Sequence, residues 1–192
     1  MINAAYSDRS LIIDILTDSF DENKSVNYVV KQDRKRKERI RKLMTYSFDV
    51  SHRFGEVYLS DDKCACALIV FPDKKKMTLK SILWDAKLAF TCIGSLSGIF
   101  KVLNRESKIK ATHPSVPIIH LWFIGVKKEN QNKGAGSKLL KEIIEESTKM
   151  KRGIFLETST LKNIPWYKKF EFEVYQEIDL GYKLFLIKHS PR

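Results

Sequence analysis

The feature that most narrows the fold of this chain is the succession of apolar run, glycine loop, amphipathic helix and second apolar run between residues 118 and 158. Residues 118–126 are apolar or glycine except for His120, and so read as a strand buried on both faces. Leu139, Leu140, Ile143 and Ile144 recur at helical spacing, predicting a helix over 134–150 that Gly153 closes. Residues 154–158 form the next strand. A strand that returns through a helix to another strand of the same sheet runs parallel to it. The turn between the first strand and the helix is Gln131-Asn132-Lys133-Gly134-Ala135-Gly136. Its two glycines let the backbone bend sharply and come close to a ligand.

The flanks are of a different kind. Leu11, Ile12, Ile15, Leu16 and Phe20 define a first helix, with Asp8 and Ser10 as caps, and Ile40, Leu43, Met44 and Phe48 a second over 33–48. Strands at 56–60 and 63–71 join through Asp61-Asp62 as a hairpin, and Pro72 stops the second. Residues 77–107 are helical with a break at Gly94 and Gly98, and strands near 172–178 and 183–188 turn around Gly181. Hairpins on both sides of a parallel crossover make the expected class a mixed α/β (α+β) fold with flanking helices. No repeat or linker divides the chain, so 1–192 reads as one domain, with parts at 1–116, 117–172 and 173–192.

Charge and cysteine content limit the function classes. The formal charge is +12, from 35 basic and 23 acidic residues, and such a field favours anionic partners. Much of it lies on the helix carrying Arg34, Lys35, Arg36, Lys37, Arg39, Arg41 and Lys42, which reads as a solvated face or an anion-attracting rim. No interleaved aromatic pattern or DNA-binding motif accompanies it, which argues against nucleic acid as partner. Cys64, Cys66 and Cys92 have neither disulfide-framework nor zinc spacing, so no metal is expected. The longest apolar stretch, 88–100, is too short and too interrupted to span a bilayer. The expectation is a cytoplasmic protein with no membrane partner and its oligomeric state open.

A helix that starts at Gly134 offers unpaired N–H groups and a positive dipole end, which suit phosphate. The loop lacks the third glycine of the dinucleotide fingerprint and the Gly-Lys-Ser/Thr ending of a P-loop. Gln131-x-x-Gly134-x-Gly136 after a strand ending Gly125-Val126 instead resembles the pyrophosphate motif of the GCN5-related N-acetyltransferase (GNAT) superfamily. Downstream, Phe155-Leu156-Glu157-Thr158-Ser159 followed by Asn163-Ile164-Pro165-Trp166-Tyr167 is similar to that superfamily's later motif, most of all in its puromycin N-acetyltransferase-like members. One departure is Glu171-Phe172, where the family has Gly-Phe.

The resemblance implies a mostly antiparallel sheet with one splayed parallel pair. It also implies acetyl-CoA as donor and an amine that attacks the thioester directly, on a small molecule in the first reading. The alternatives are protein or peptide amines, or a non-catalytic module that binds CoA or nucleic acid. Main-chain groups of Gln131, Asn132, Lys133, Gly134, Ala135, Gly136 and Ser137 would hold the pyrophosphate, and Ile124 and Val126 the pantetheine. Asn163 contacts the cofactor or caps the following helix. Tyr167 is the candidate acid for the departing thiolate, since a phenol is protonated at neutral pH. The base is left between His120, expected on one strand face with Trp122, Ile124 and Val126, and Glu157, whose other role is structural.

Overall fold

The computed structural model describes residues 1–190. Seven strands make one sheet in the order β1-β2-β3-β4-β5-β7-β6. They are β1 (Ile2–Asn3), β2 (Gly55–Leu59), β3 (Ala65–Val70), β4 (Ile119–Val126), β5 (Ile154–Thr158), β6 (Glu173–Asp179) and β7 (Lys183–His189). Every pairing is antiparallel except β4 with β5. The helices are α1 (Arg9–Ser19), α2 (Lys24–Val29), α3 (Arg36–Phe54), α4 (Leu79–Leu88), α5 (Leu96–Lys110), α6 (Ala135–Lys149) and α7 (Ile164–Lys168). A five-residue π-helical stretch, Ala89–Ile93, continues α4 before Gly94 turns the chain at φ 70°.

Alternation along β2 and β3 sorts side chains onto two cores, because successive residues point to opposite sheet faces. Val57, Leu59, Cys66 and Leu68 pack with Ile12, Leu16, Ile40, Met44 and Phe48 of α1 and α3. Tyr58, Ala65, Ala67 and Ile69 pack with Leu139, Leu140 and Ile143 of α6 and with Tyr167. β3 is therefore buried along its whole length.

β4 departs from the expected fully buried strand, since its alternate residues are half-exposed. Between Leu68 and Ile69 of β3, the β4 partner changes from Phe123 to Leu121, so Trp122 is an extra residue in a bulge. Trp122 and Phe123 consequently both pack toward α1 and α3, while Leu121 and Ile124 pack toward α6. This corrects the expectation that His120 shares a face with Trp122, Ile124 and Val126: only Trp122 remains with it, stacked at 6.5 Å between ring centroids.

The basic start of α3 faces carboxylates of α1 and its neighbours. Arg36 pairs with Asp21 at 2.7 Å, Lys37 with Asp18 at 3.2 Å, Arg39 with Asp33 at 2.7 Å, and Arg41 with Asp14. Exposed pairs of this kind add little stability each, but they neutralise the patch that the sequence presents.

Gly55 begins β2 where no side chain fits, since a Cβ there would sit 1.9 Å from the Ile69 carbonyl oxygen. Gly55→Ala is expected to lower unfolding free energy by about 3 kcal/mol or more, read as a fall in the urea midpoint at unchanged slope.

Candidate active site

β4 and β5 pair at only two positions, Ile119 with Ile154 and His120 with Phe155, and then diverge. Lys127 donates to the Cys64 carbonyl at 2.8 Å, which fixes the phase of the β3–β4 ladder. In that phase the main-chain groups of Ile124 and Val126 point away from β3, into the gap beside β5. Part of this edge is already engaged. The Val126 carbonyl accepts from Ser19 Oγ at 3.0 Å and from Gln131 Nε2 at 3.3 Å. The gap thus offers the Ile124 main chain and the Val126 N–H, with Gln131 acting through its side chain.

The helix tip predicted to bind phosphate stands at the open end of this gap. Asn132 and Gly134 both adopt left-handed φ, 61° and 87°, so the loop turns sharply into α6. Gly134 is the N-cap residue and no side chain caps the helix. The first N–H groups, on Ala135, Gly136 and Ser137, have no partner within the helix. Gln131, Asn132, Lys133 and Gly134 are exposed, and a Cβ at Gly134 would meet nothing within 4 Å. Gly136 has the opposite reason for being glycine: a Cβ there would lie 3.1 Å from the Val126 side chain, so α6 packs tightly on the end of β4.

α7 closes one side of this tip. Trp166 Nε1 donates to Ser137 Oγ at 2.9 Å, and the Tyr167 ring sits against Trp166 and Phe172 at 4.7 and 5.5 Å between centroids. Tyr167 is buried, and burial pushes its phenol pKa well above the ordinary value. Asn163 is half-buried at the N-cap position of α7 but makes no side-chain cap bond, so capping does not account for it. Glu171 holds φ 63°, the left-handed turn for which a glycine is usual, so the turn survives the substitution.

The two sequence-derived base candidates are partners of one another. His120 Nε2 donates to Glu157 Oε2 at 2.9 Å across the start of the gap. A third residue, His113, completes the cluster with Nε2 3.7 Å from Glu157 Oε1. Sequence reasoning missed it, because His113 lies in a loop forty-four residues before Glu157 with no spacing to connect them. Burial disfavours charge on both members of the central pair, but their mutual attraction prevails. The His120 pKa is raised, with the Glu157 carboxylate as the opposing cause. The Glu157 pKa is lowered well below the carboxylate range despite burial, with His120 and His113 as the causes. Pairing therefore favours the anion at Glu157 and the cation at His120.

Polar ties seal the far side of this cluster. Arg105 of α5 donates to Ser25 Oγ at 2.8 Å, Tyr182 Oη donates to the same oxygen at 3.2 Å, and the Ser25 N–H donates to Ser159 Oγ at 3.3 Å. These bonds bring α2, α5, the β6–β7 turn and the end of β5 together over the gap. A cavity of about 540 Å³ lined by Pro114, Val116, Arg152 and Phe155 opens at the opposite ends of β4 and β5, away from the α6 tip. No group of three or more metal-ligating side chains occurs among the described residues.

Residues 93–174 match the sequence model of the family described as acetyltransferase (GNAT) domain. That span holds the glycine loop, His113, His120, Glu157, Asn163 and Tyr167. Solved structures share the fold over nearly the whole chain. A histone acetyltransferase HPA2 and related acetyltransferase from Corynebacterium glutamicum superposes with TM-score 0.75 at 16% identity, covering 100% of this chain and 95% of that one. Arylalkylamine N-acetyltransferase 2 from Aedes aegypti gives 0.66 at 13% identity, over 100% and 98%. An N-acetyltransferase from Staphylococcus aureus gives 0.60 at 16%, over 97% and 98%.

The His120–Glu157 pair makes stability depend on pH in a defined way. A histidine with a raised folded pKa contributes fully below its ordinary 6.5, and the contribution fades as pH rises through the folded value. The Glu157 contribution is present above its ordinary 4.5 and is lost as pH falls through its depressed folded value. The unfolding free energy difference between wild type and His120→Gln should therefore be largest between about pH 4.5 and 6.5 and shrink toward pH 9. A difference that does not vary with pH would remove the charged pair.

Proposed function

We propose that this acyl-CoA-dependent acetyltransferase, built on a GNAT domain, transfers an acetyl group from acetyl-CoA to the primary amine of a small molecule by direct attack. The observation that carries the reading is the gap itself. A histidine bonded to Glu157, an open strand edge and an uncapped helix start follow one another along β4 and the turn after it.

We take the whole chain as one acetyltransferase domain, with the acceptor side formed by α2, α5 and the β6–β7 turn. The N–H groups of residues 132–137 bind the pyrophosphate through dipole and direct hydrogen bonds. Ile124 and the Val126 N–H extend the sheet to the pantetheine amides, as an added strand would. Asn163 contacts the cofactor from the start of α7. The thioester supplies the activated acetyl group. His120 takes the proton that the amine loses as its nitrogen bonds to the carbonyl carbon, and Glu157 holds the imidazole in orientation and stabilises its cation. Tyr167, kept protonated by burial, gives its proton to sulfur as the C–S bond breaks.

The Asn163-Ile164-Pro165-Trp166-Tyr167 run supports grouping the chain with the puromycin N-acetyltransferase-like members, without fixing the acceptor. Aromatic side chains at the acceptor side, with Tyr28 and Tyr182 at 5.3 Å between centroids, favour a compact, partly apolar amine. The positive field disfavours lysine-rich protein tails as acceptors. A cytoplasmic setting fits an acetyl-CoA donor.

The test is thiol release from acetyl-CoA across a panel of amines. Tyr167→Phe should lower turnover about ten- to a thousandfold in a folded protein, and unchanged turnover would remove Tyr167 from the mechanism. In the profile of kcat/KM against pH, activity should rise through a limb above 6.5 as His120 loses its proton. Glu157→Gln should move that limb to lower pH, and His120→Ala should abolish it. Gly134→Asp places a carboxylate where the pyrophosphate binds and should weaken CoA binding by roughly tenfold or more in calorimetry, with the fold retained.

A further inference from the structure

We propose that the arm formed by α4 and α5 docks on an anionic lipid bilayer. Both helices carry apolar side chains on faces turned to solvent. On α4 and its π-helical continuation these are Leu79, Leu83 and Phe90, and on α5 they are Leu96, Phe100 and Leu103. All six are between 59% and 89% exposed. Leu96, Phe100 and Leu103 fall four and three apart, which aligns them along one side of α5. The inward faces already have their contacts. Arg105 is held by Ser25, Ile109 packs with Leu184 and Leu186, and Trp84 packs against Val50 and Phe54. A soluble surface rarely leaves so many large apolar side chains uncovered within one segment.

Charge on the same segment selects the occupant. Eight exposed lysines lie between residues 74 and 110, and none forms an ion pair among the described residues. The acidic side chains there are each engaged: Asp73 by Arg152 at 2.7 Å, Asp85 by the Tyr46 hydroxyl at 2.6 Å, and Glu106 by Arg105. Apolar anchors within an uncompensated positive field match the boundary between lipid headgroups and acyl chains. There leucine and phenylalanine enter the apolar layer while lysines meet phosphate. A second copy of the chain would set lysines against lysines. No helix among the described residues is long and apolar enough to cross a membrane, so the contact is peripheral.

The experiment uses the full chain with sucrose-loaded vesicles, sedimented at low and high salt. One set is phosphatidylcholine alone and the other is phosphatidylcholine mixed with phosphatidylglycerol. The protein should sediment with the anionic set and be released by salt. The double variant Leu83→Ser, Phe90→Ser should partition roughly tenfold more weakly while keeping its circular dichroism and its turnover on a soluble amine. Failure to sediment with anionic vesicles would overturn the proposal in favour of a protein partner. Equal binding by the double variant would overturn it by leaving only charge adsorption. A dimer in light scattering that the double variant dissolves would overturn it in favour of self-association.

Discussion

The divergence of β4 from β5 is the constraint on which the rest of this molecule depends. A sheet normally satisfies each main-chain donor and acceptor through its neighbour, and an interior strand left open has an unmet hydrogen-bonding demand. Here two residue pairs hold the strands together, after which Ile124 and Val126 face a gap. The bulge at Trp122 changes which residues of β4 face each core: Ile119 and Leu121 before it, and Ile124 and Val126 after it, all pack toward α6, while Trp122 and Phe123 pack toward α1 and α3. Tight seating of Gly136 on Val126 brings the start of α6 to the mouth of the same gap. One local break in pairing thereby aligns a strand edge, a helix dipole and a half-buried histidine.

Electrostatics divides the protein into a neutralised part and an active part. The most basic stretch of sequence, at the start of α3, is answered by Asp14, Asp18, Asp21 and Asp33. The positive charge left over lies elsewhere: on Lys127, Lys128 and Lys133 beside the glycine loop, and along the α4–α5 arm. At the centre of the gap, the Glu157 anion is paired with His120 at 2.9 Å, with His113 Nε2 3.7 Å away and Arg105 acting at longer range. Removing one partner from such a group costs far more than an exposed pair contributes, because the remaining charge is left in a poor solvent.

Much of this arrangement was legible in the sequence, because it rests on local rules. The glycines of the loop, the helical period of Leu139, Leu140 and Ile143, and the apolar run of β4 each announce their element. The bulge was not legible. Trp122 differs in no way from a regular strand residue, and only pairing with β3 shows it to be extra, which is why the faces of Ile124 and Val126 were misassigned relative to His120. His113 was hidden for a related reason: its partnership with Glu157 is made by the folding of the sheet, not by spacing along the chain. The two-residue β1 and the six-residue α2 are too short for periodicity to reveal. The sequence did contain the outward leucines and phenylalanines of α4 and α5, but helical period alone does not distinguish a face turned inward from one turned to solvent.

The central claim is that donor binding completes the sheet through main-chain groups at the gap and at the α6 tip. Amide hydrogen exchange with and without acetyl-CoA addresses it directly, because it reads those groups one by one. The account predicts new protection at Ile124, at Val126 and across residues 132–137, with the β2–β3 hairpin unchanged. Binding that protected the arm or the N-terminal helices, and left these amides exchanging as before, would contradict it.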